Sequence, residues 1–259
     1  MPRSRLFIAA AALIAAVAVG GYLAWDQVLR GDDVAPLALS SASPVPAATA
    51  ATADPAPTGA TENSPAATVE ATAAPVGGEV AGTWTVAAGS QAGYRVRERL
   101  ASLSAESDAV GRTSDISGSI TIEGDGTTTT MTAGTLTVDT TTITSDEGRR
   151  DNRMRSEGLQ TDSFPTASFT ITTPVDVPVA ALAGEASDIT LVGDLTLHGV
   201  TRSATIPAQA RLANGTIEVA GAITFPLADF DIVAPNVGGF IISIADDGAL
   251  EFLVSFTKG

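Results

Sequence analysis

Residues 188–199 read "DITLVGDLTLHG", and the fold follows from how that stretch alternates. Ile189, Leu191, Leu195 and Leu197 recur at every second position, with Gly193 in the same series. Asp188, Thr190, Asp194 and Thr196 stand between them. A period of two belongs to a β-strand, whose successive side chains point to opposite faces. One face is therefore apolar and the other is turned to water.

The same pattern recurs along the C-terminal part of the chain. It gives Ile116, Ile120 and Ile122 in "ISGSITIEGD", Leu136 and Val138 in "AGTLTVDTTTI", and Phe169 and Ile171 in "ASFTITT". It continues with Ile217, Val219, Gly221, Ile223, Phe225 and Leu227 in "TIEVAGAITFPLADF", and with Leu250, Phe252, Val254 and Phe256 in "ALEFLVSF". The opposite faces are mostly Thr, Ser, Asp and Glu; threonine suits them because it is β-branched yet tolerates water. The segments "EGDGT", "HGVT", "ANGT" and "DDGA" separate the runs, and Asn214-Gly215 and Asp247-Gly248 are short-hairpin signals. Consecutive strands joined by hairpins predict an all-β antiparallel meander, closed as a sandwich or a barrel. Gly193 and Gly221 fall on the apolar face in mid-strand, which marks a bend or a close approach. Aromatic residues are only 5% of the chain, so a large sheet surface has few large side chains to fill its interior. An eight-stranded barrel can hold one small ligand in such a space, and an apolar lining suits a hydrocarbon.

Charge and composition exclude several classes. The net charge of −15 argues against nucleic-acid binding, which needs a cationic footprint. Without cysteine there is no disulfide, thiol nucleophile or thiolate metal site, and the single histidine, His198, excludes a multi-histidine metal centre. No Gly-x-Ser-x-Gly elbow is present. The expectation is a non-enzymatic module without catalytic residues, metal or cofactor.

Three segments follow one another. Residues 1–31 hold "LFIAAAALIAAVAVGGYLAW" at positions 6–25, long enough as a helix to cross one bilayer core. Arg3 and Arg5 precede it and Tyr22 and Trp25 end it, which predicts a single-pass anchor with the rest of the chain extracytoplasmic. A cleaved signal peptide, and hence secretion, is the competing reading. Residues 32–80 are rich in Ala, Pro, Thr and Ser, carry no aromatic residue, and predict a disordered stalk. Residues 82–259 carry the strands.

Within that last segment "RRDNRMRSEGL", residues 149–159, interrupts the strand pattern with four arginines. One or two helical turns are expected there, capped by Ser145 or Asp146 and ended at Gly158, with Met154 and Leu159 beneath. The arginines either pair with carboxylates to hold the barrel rim, Arg150 with Asp151 first among them, or form a cationic mouth for a lipid head group. Glu98 shares the parity of Tyr94 and Val96, so it points inward and needs a partner; an arginine of 149–155 is the candidate. His198 sits at a hairpin tip, either as a mouth residue or as a turn residue bonded to nearby backbone.

These residues also carry a resemblance. Arg150-Asp151, Met154, Leu159, Phe164-Pro165 and Phe169 follow the order of a motif in the YceI-like family of polyisoprenoid-binding proteins. "GDLTLHGVTR", 193–202, resembles that family's hairpin; "GTWTVAAGSQAGYRV", 82–96, its first strand; and "FPLADFDI", 225–232, its late strand. Leu159-Gln160 stands where the family has Phe-Phe, and Glu98 where a histidine commonly ends the first strand. The resemblance implies an eight-stranded, lipocalin-like antiparallel barrel with one short helix and a long isoprenoid or similar lipid in its lumen.

The expected lining is Tyr94, Val96, Ile120, Ile122, Leu136, Val138, Met154, Phe169 and Ile171 in the first half. Leu191, Leu195, Val219, Ile223, Phe225, Phe252 and Val254 complete it. Glu98, Arg150, Asp151 and His198 are the polar rim. The expected partners are the lipid and, through residues 6–25, a membrane; a homodimer is left open, and a ligand-free structural or adhesive β-domain is the alternative.

Overall fold

A computed structural model describes residues 34–39, 80–100, 106–124, 128–234 and 241–259. The apolar run 6–25 and most of the expected stalk lie outside the described residues. Among the described residues no helix is long and apolar enough to cross a membrane.

Eleven strands appear among the described residues: β1 (Gly82–Val86), β2 (Gln91–Leu100), β3 (Glu106–Thr113), β4 (Ile116–Gly124), β5 (Thr129–Asp139), β6 (Thr166–Ile171), β7 (Val175–Asp176), β8 (Ser187–Leu197), β9 (Val200–Ala213), β10 (Thr216–Pro226) and β11 (Ile241–Lys258). All pairings are antiparallel. The order β1-β4-β5-β6-β8-β9-β10-β11 returns to β1, so the sheet closes on itself. β1 and β2 run one after the other along β11, and β3 and β4 run back along them. Each pair is one bent ribbon, and the wall is therefore an eight-stranded barrel, as the resemblance implies.

The bends have local causes. Between β1 and β2 the buried Ser90 hydroxyl donates to Ala87 O at 2.8 Å and accepts from Ser255 N at 3.0 Å, taking over bonds the broken ladder would have made. Between β3 and β4 the Thr113 hydroxyl accepts from Asp115 N at 2.9 Å. Such breaks let a flat ladder turn the corners that closure demands.

The hairpin after "DITLVGDLTLHG" is tight. His198 and Gly199 take φ of 51° and 75°, and Asn214 and Gly215 take the same pair of values in the next hairpin. Positive φ at both central residues is the two-residue turn whose twist matches that of the strands. Asp247-Gly248 does not form the expected hairpin. It lies inside β11, where the register with β2 shifts between Ile244 and Gly248. The residues on both sides of it pair with the same strand, so its turn chemistry becomes a bulge. Gly193 is a close approach: a Cβ there would lie 2.2 Å from Thr170 O and 2.7 Å from the Phe169 ring.

Two boundaries move. Val80, expected in the stalk, is buried, and its carbonyl accepts from the Trp84 indole at 2.8 Å, so it belongs to the folded unit. Residues 34–39, also expected to be disordered stalk, lie against the barrel, where Leu37 N and Glu251 Oε2 are 3.4 Å apart. Helix α1 (Gly148–Arg153) runs straight into a wider turn, Met154–Gly158, in which Leu159 N donates to Met154 O at 2.7 Å. A second short helix, α2 (Val179–Leu182), lies between β7 and β8.

Candidate functional site

The apolar parities converge on the barrel axis, and the axis is hollow. A central cavity contains about 1110 Å³ of atom-free space, its opening included. Tyr94, Ile120, Leu136, Val138, Phe169 and Ile171 line it from one side, and Leu191, Leu195, Val219, Ile223, Phe252 and Val254 from the other. A second cavity of about 730 Å³ continues past Tyr94, Leu159, Leu197 and Leu250 and is lined by Val96, Met154 and Phe225 as well. A third, of about 390 Å³, shares Ile120, Met131 and Val219 with the first and includes Ile122 and, on α2, Leu182. All sixteen expected lining residues thus face this string of spaces.

Several wall residues lie outside the expected lining. Leu197 and Leu250 carry the right parity and complete the wall. Ile206 belongs to β9, where the alternation is written mainly in alanine (Ala204, Ala208 and Ala210), too weak a signal to read as a core face. Met131 is a lone apolar residue among threonines, and a register irregularity between Thr121 and Ile122 sets its phase.

The polar rim is built around Glu98. It points inward, is 3% exposed, and accepts from Arg150 Nη2 at 2.7 Å. Arg150 also donates to Asp146. Burial opposes the charge on Arg150, but the Glu98 and Asp146 carboxylates outweigh it and hold the guanidinium more firmly protonated than usual. The expected Arg150–Asp151 pair does not form. Asp151 turns the other way and accepts from Ser145 N at 2.9 Å and from the Ser145 hydroxyl at 2.6 Å. With Ser145 and Asp146 so engaged, the cap falls to Glu147, whose carboxylate accepts from Arg149 N at 3.0 Å. Arg155 donates to Ile143 O at 3.1 Å and ties the end of the run to the wall.

Four buried polar atoms lack a protein partner among the described residues: the Tyr94 and Ser107 hydroxyls, Arg150 Nε and His198 Nε2. Burial pushes the Tyr94 hydroxyl up to about 12. Tyr94 lines both the central and the rim cavity, and Arg150 the rim cavity. His198 is a turn residue: its Nδ1 lies 3.0 Å from Phe230 O and its ring packs on Phe164 with centroids 4.4 Å apart, while its Nε2 is buried without a partner among the described residues.

The YceI-like domain model matches residues 84–256, which span the closed eight-stranded barrel and the α1 segment at its rim. The chain belongs to the YceI-like family. Among solved structures, this YceI-like chain is similar to a polyisoprenoid binding domain from Saccharophagus degradans implicated in plant cell wall breakdown. The two are 21% identical, with a TM-score of 0.53 over 68% of this chain and 98% of that one. It is also similar to BcnA of Burkholderia cenocepacia, at 14% identity and a TM-score of 0.48 over 64% of this chain and 95% of that one. The YceI protein of Campylobacter jejuni is 16% identical, with a TM-score of 0.42 over 57% and 85%. No curated protein matches the chain.

Proposed function

We propose that the lumen binds one long apolar lipid, a polyisoprenoid or a chain like it, with its polar end beside Tyr94 and Arg150. The observation that carries this reading is the string of apolar cavities along the barrel axis. The family relative from Saccharophagus degradans is described as a polyisoprenoid binding domain, and the same ligand chemistry suits this lining. Each CH₂ removed from water contributes about 0.8 kcal/mol, so a chain of many carbons offsets the cost of ordering it. The Tyr94 hydroxyl and Arg150 Nε are donors that an oxygen at the end of the lipid would satisfy.

On this reading the domain carries or sequesters lipid outside the cytoplasmic membrane and performs no reaction. Residues 6–25 tether it there or direct its export. A tether near the bilayer raises the lipid concentration that the mouth meets. A ligand-free adhesive domain calls for a filled interior, and the atom-free lumen weighs against it. The test is mass spectrometry of an organic extract of the purified chain. About one long-chain lipid per chain is expected; a lipid-free extract from gently purified protein would overturn the reading.

A further inference from the structure

On the outer face of β2, β3 and β11 lies another buried carboxylate. Glu251 is 3% exposed. Arg112 donates to its Oε1 from Nη2 at 2.7 Å and from Nε at 3.1 Å, and Arg95 lies 3.4 Å from Oε2. The three strands place them in one row, Arg112 opposite Gly93 and Gly93 opposite Glu251. Gly93 leaves that row open. A Cβ on it would come within 2.9 Å of Arg112 Cγ, so the guanidinium can lie across β2 to reach Glu251.

Arg95 also pairs with Asp108 at 3.0 Å, and the cluster makes further contacts with a distant stretch of chain. Arg95 Nη2 donates to Val34 O at 2.7 Å, and Arg112 donates to Ala35 O. Leu37 N donates to Glu251 Oε2 at 3.4 Å. Two carbonyls and one N–H of the same short stretch are thus matched by two guanidinium groups and a carboxylate. Every one of these hydrogen bonds reads backbone, so the recognised feature is main chain rather than a particular side chain.

We propose that this outer face is a docking site for an extended peptide, occupied in cis by the chain's own residues 34–39. The intervening residues 40–79 then act as the tether of an intramolecular ligand. A tether of this kind supplies a local concentration on the order of 1 mM, enough for contacts too weak to hold a free peptide. If residues 6–25 span a membrane as proposed above, docking also shortens the leash. The span from Trp25 to Val34 is 34 − 25 = 9 residues, at most roughly 30 Å of extended chain. The barrel is then held close to the bilayer instead of at the end of the whole linker.

Hydrogen exchange on the full chain tests the docking without reference to lipid. The amides within 34–39 are expected to exchange at least about tenfold more slowly than in an open chain. Combining Arg95→Gln with Arg112→Gln is expected to return them to open-chain rates, with the amides of β2, β3 and β11 as the control for folding. If those strands lose protection too, Leu37→Pro decides. It deletes the N–H that Glu251 accepts and changes no barrel residue, and it is expected to speed exchange at the remaining amides of the segment. Open-chain exchange in the unsubstituted protein, or protection that survives both the arginine pair of changes and Leu37→Pro, overturns the proposal.

Discussion

Glu98 and Glu251 are equally buried, each is met by arginine, and they stand on opposite sides of the same wall. Glu98 faces the lumen. Its partner comes from α1, 52 residues along the chain, so the pair fastens the rim segment to the barrel interior. Glu251 faces outward. Its partners are neighbours in the sheet, and the pair supports a peptide laid over them. Identical chemistry therefore does two jobs, and the face of the strand decides which. The inner pair is placed to affect what enters the lumen, and the outer one what lies on the surface.

That contrast can be broken at four points. The largest effect is expected for Glu98→Gln. Removing the buried partner leaves the Arg150 charge with only the exposed Asp146 and costs about 3 kcal/mol. Denaturant unfolding would measure it, and lipid content is expected to fall with it. Glu251→Gln should cost less, about 1–3 kcal/mol, because Arg95 keeps Asp108 at 3.0 Å and both arginines stay partly solvated. Lipid content should not change; an equal loss of lipid in both variants would erase the distinction between inner and outer face.

Tyr94→Phe sharpens the inner site. It removes a buried hydroxyl without a protein partner, so at neutral pH stability should hold or rise by about 1 kcal/mol. The hydroxyl's folded value lies above the ordinary tyrosine value of about 10. Its contribution is therefore whole below pH 10 and is lost as pH rises towards 12, a decline on the order of 2 kcal/mol. The variant should flatten that alkaline decline, measured as unfolding midpoint against pH. The smallest effect is expected for Asp146→Asn. Asp146 is 80% exposed, so its share of Arg150 is worth under about 0.5 kcal/mol by the same unfolding measurement.

The difference between the two glutamates also marks what could be read without coordinates. Strict alternation from Tyr94 through Val96 put Glu98 inside and demanded a cation, and the arginine-rich run offered one. Alternation assigned Glu251 equally well, between Leu250 and Phe252 on the polar parity, but parity only says which way a side chain points. That it is buried depends on Arg112 crossing β2 at Gly93 and on residues 34–39 covering the row. Both are contacts between strands or segments far apart in sequence. For the same reason Arg150–Asp151 looked like a pair by proximity, while the helix turns Asp151 back towards Ser145 and Arg150 towards Glu98. Asp247-Gly248 failed similarly, because turn chemistry cannot reveal that both flanks share one partner strand. The lumen wall was legible wherever Ile, Leu, Val and Phe alternate, and was lost on β9, where alanine carries the pattern.

The central claim is that ligand occupies the barrel axis. Leu136 lines the central cavity, and Leu136→Trp would narrow it from a position in neither charged cluster. Native mass spectrometry of the purified chain and of this variant measures the consequence directly. The expected result is one lipid-mass adduct on the unsubstituted chain and its loss from Leu136→Trp at unchanged folding. An adduct retained in full on the narrowed lumen would contradict the account.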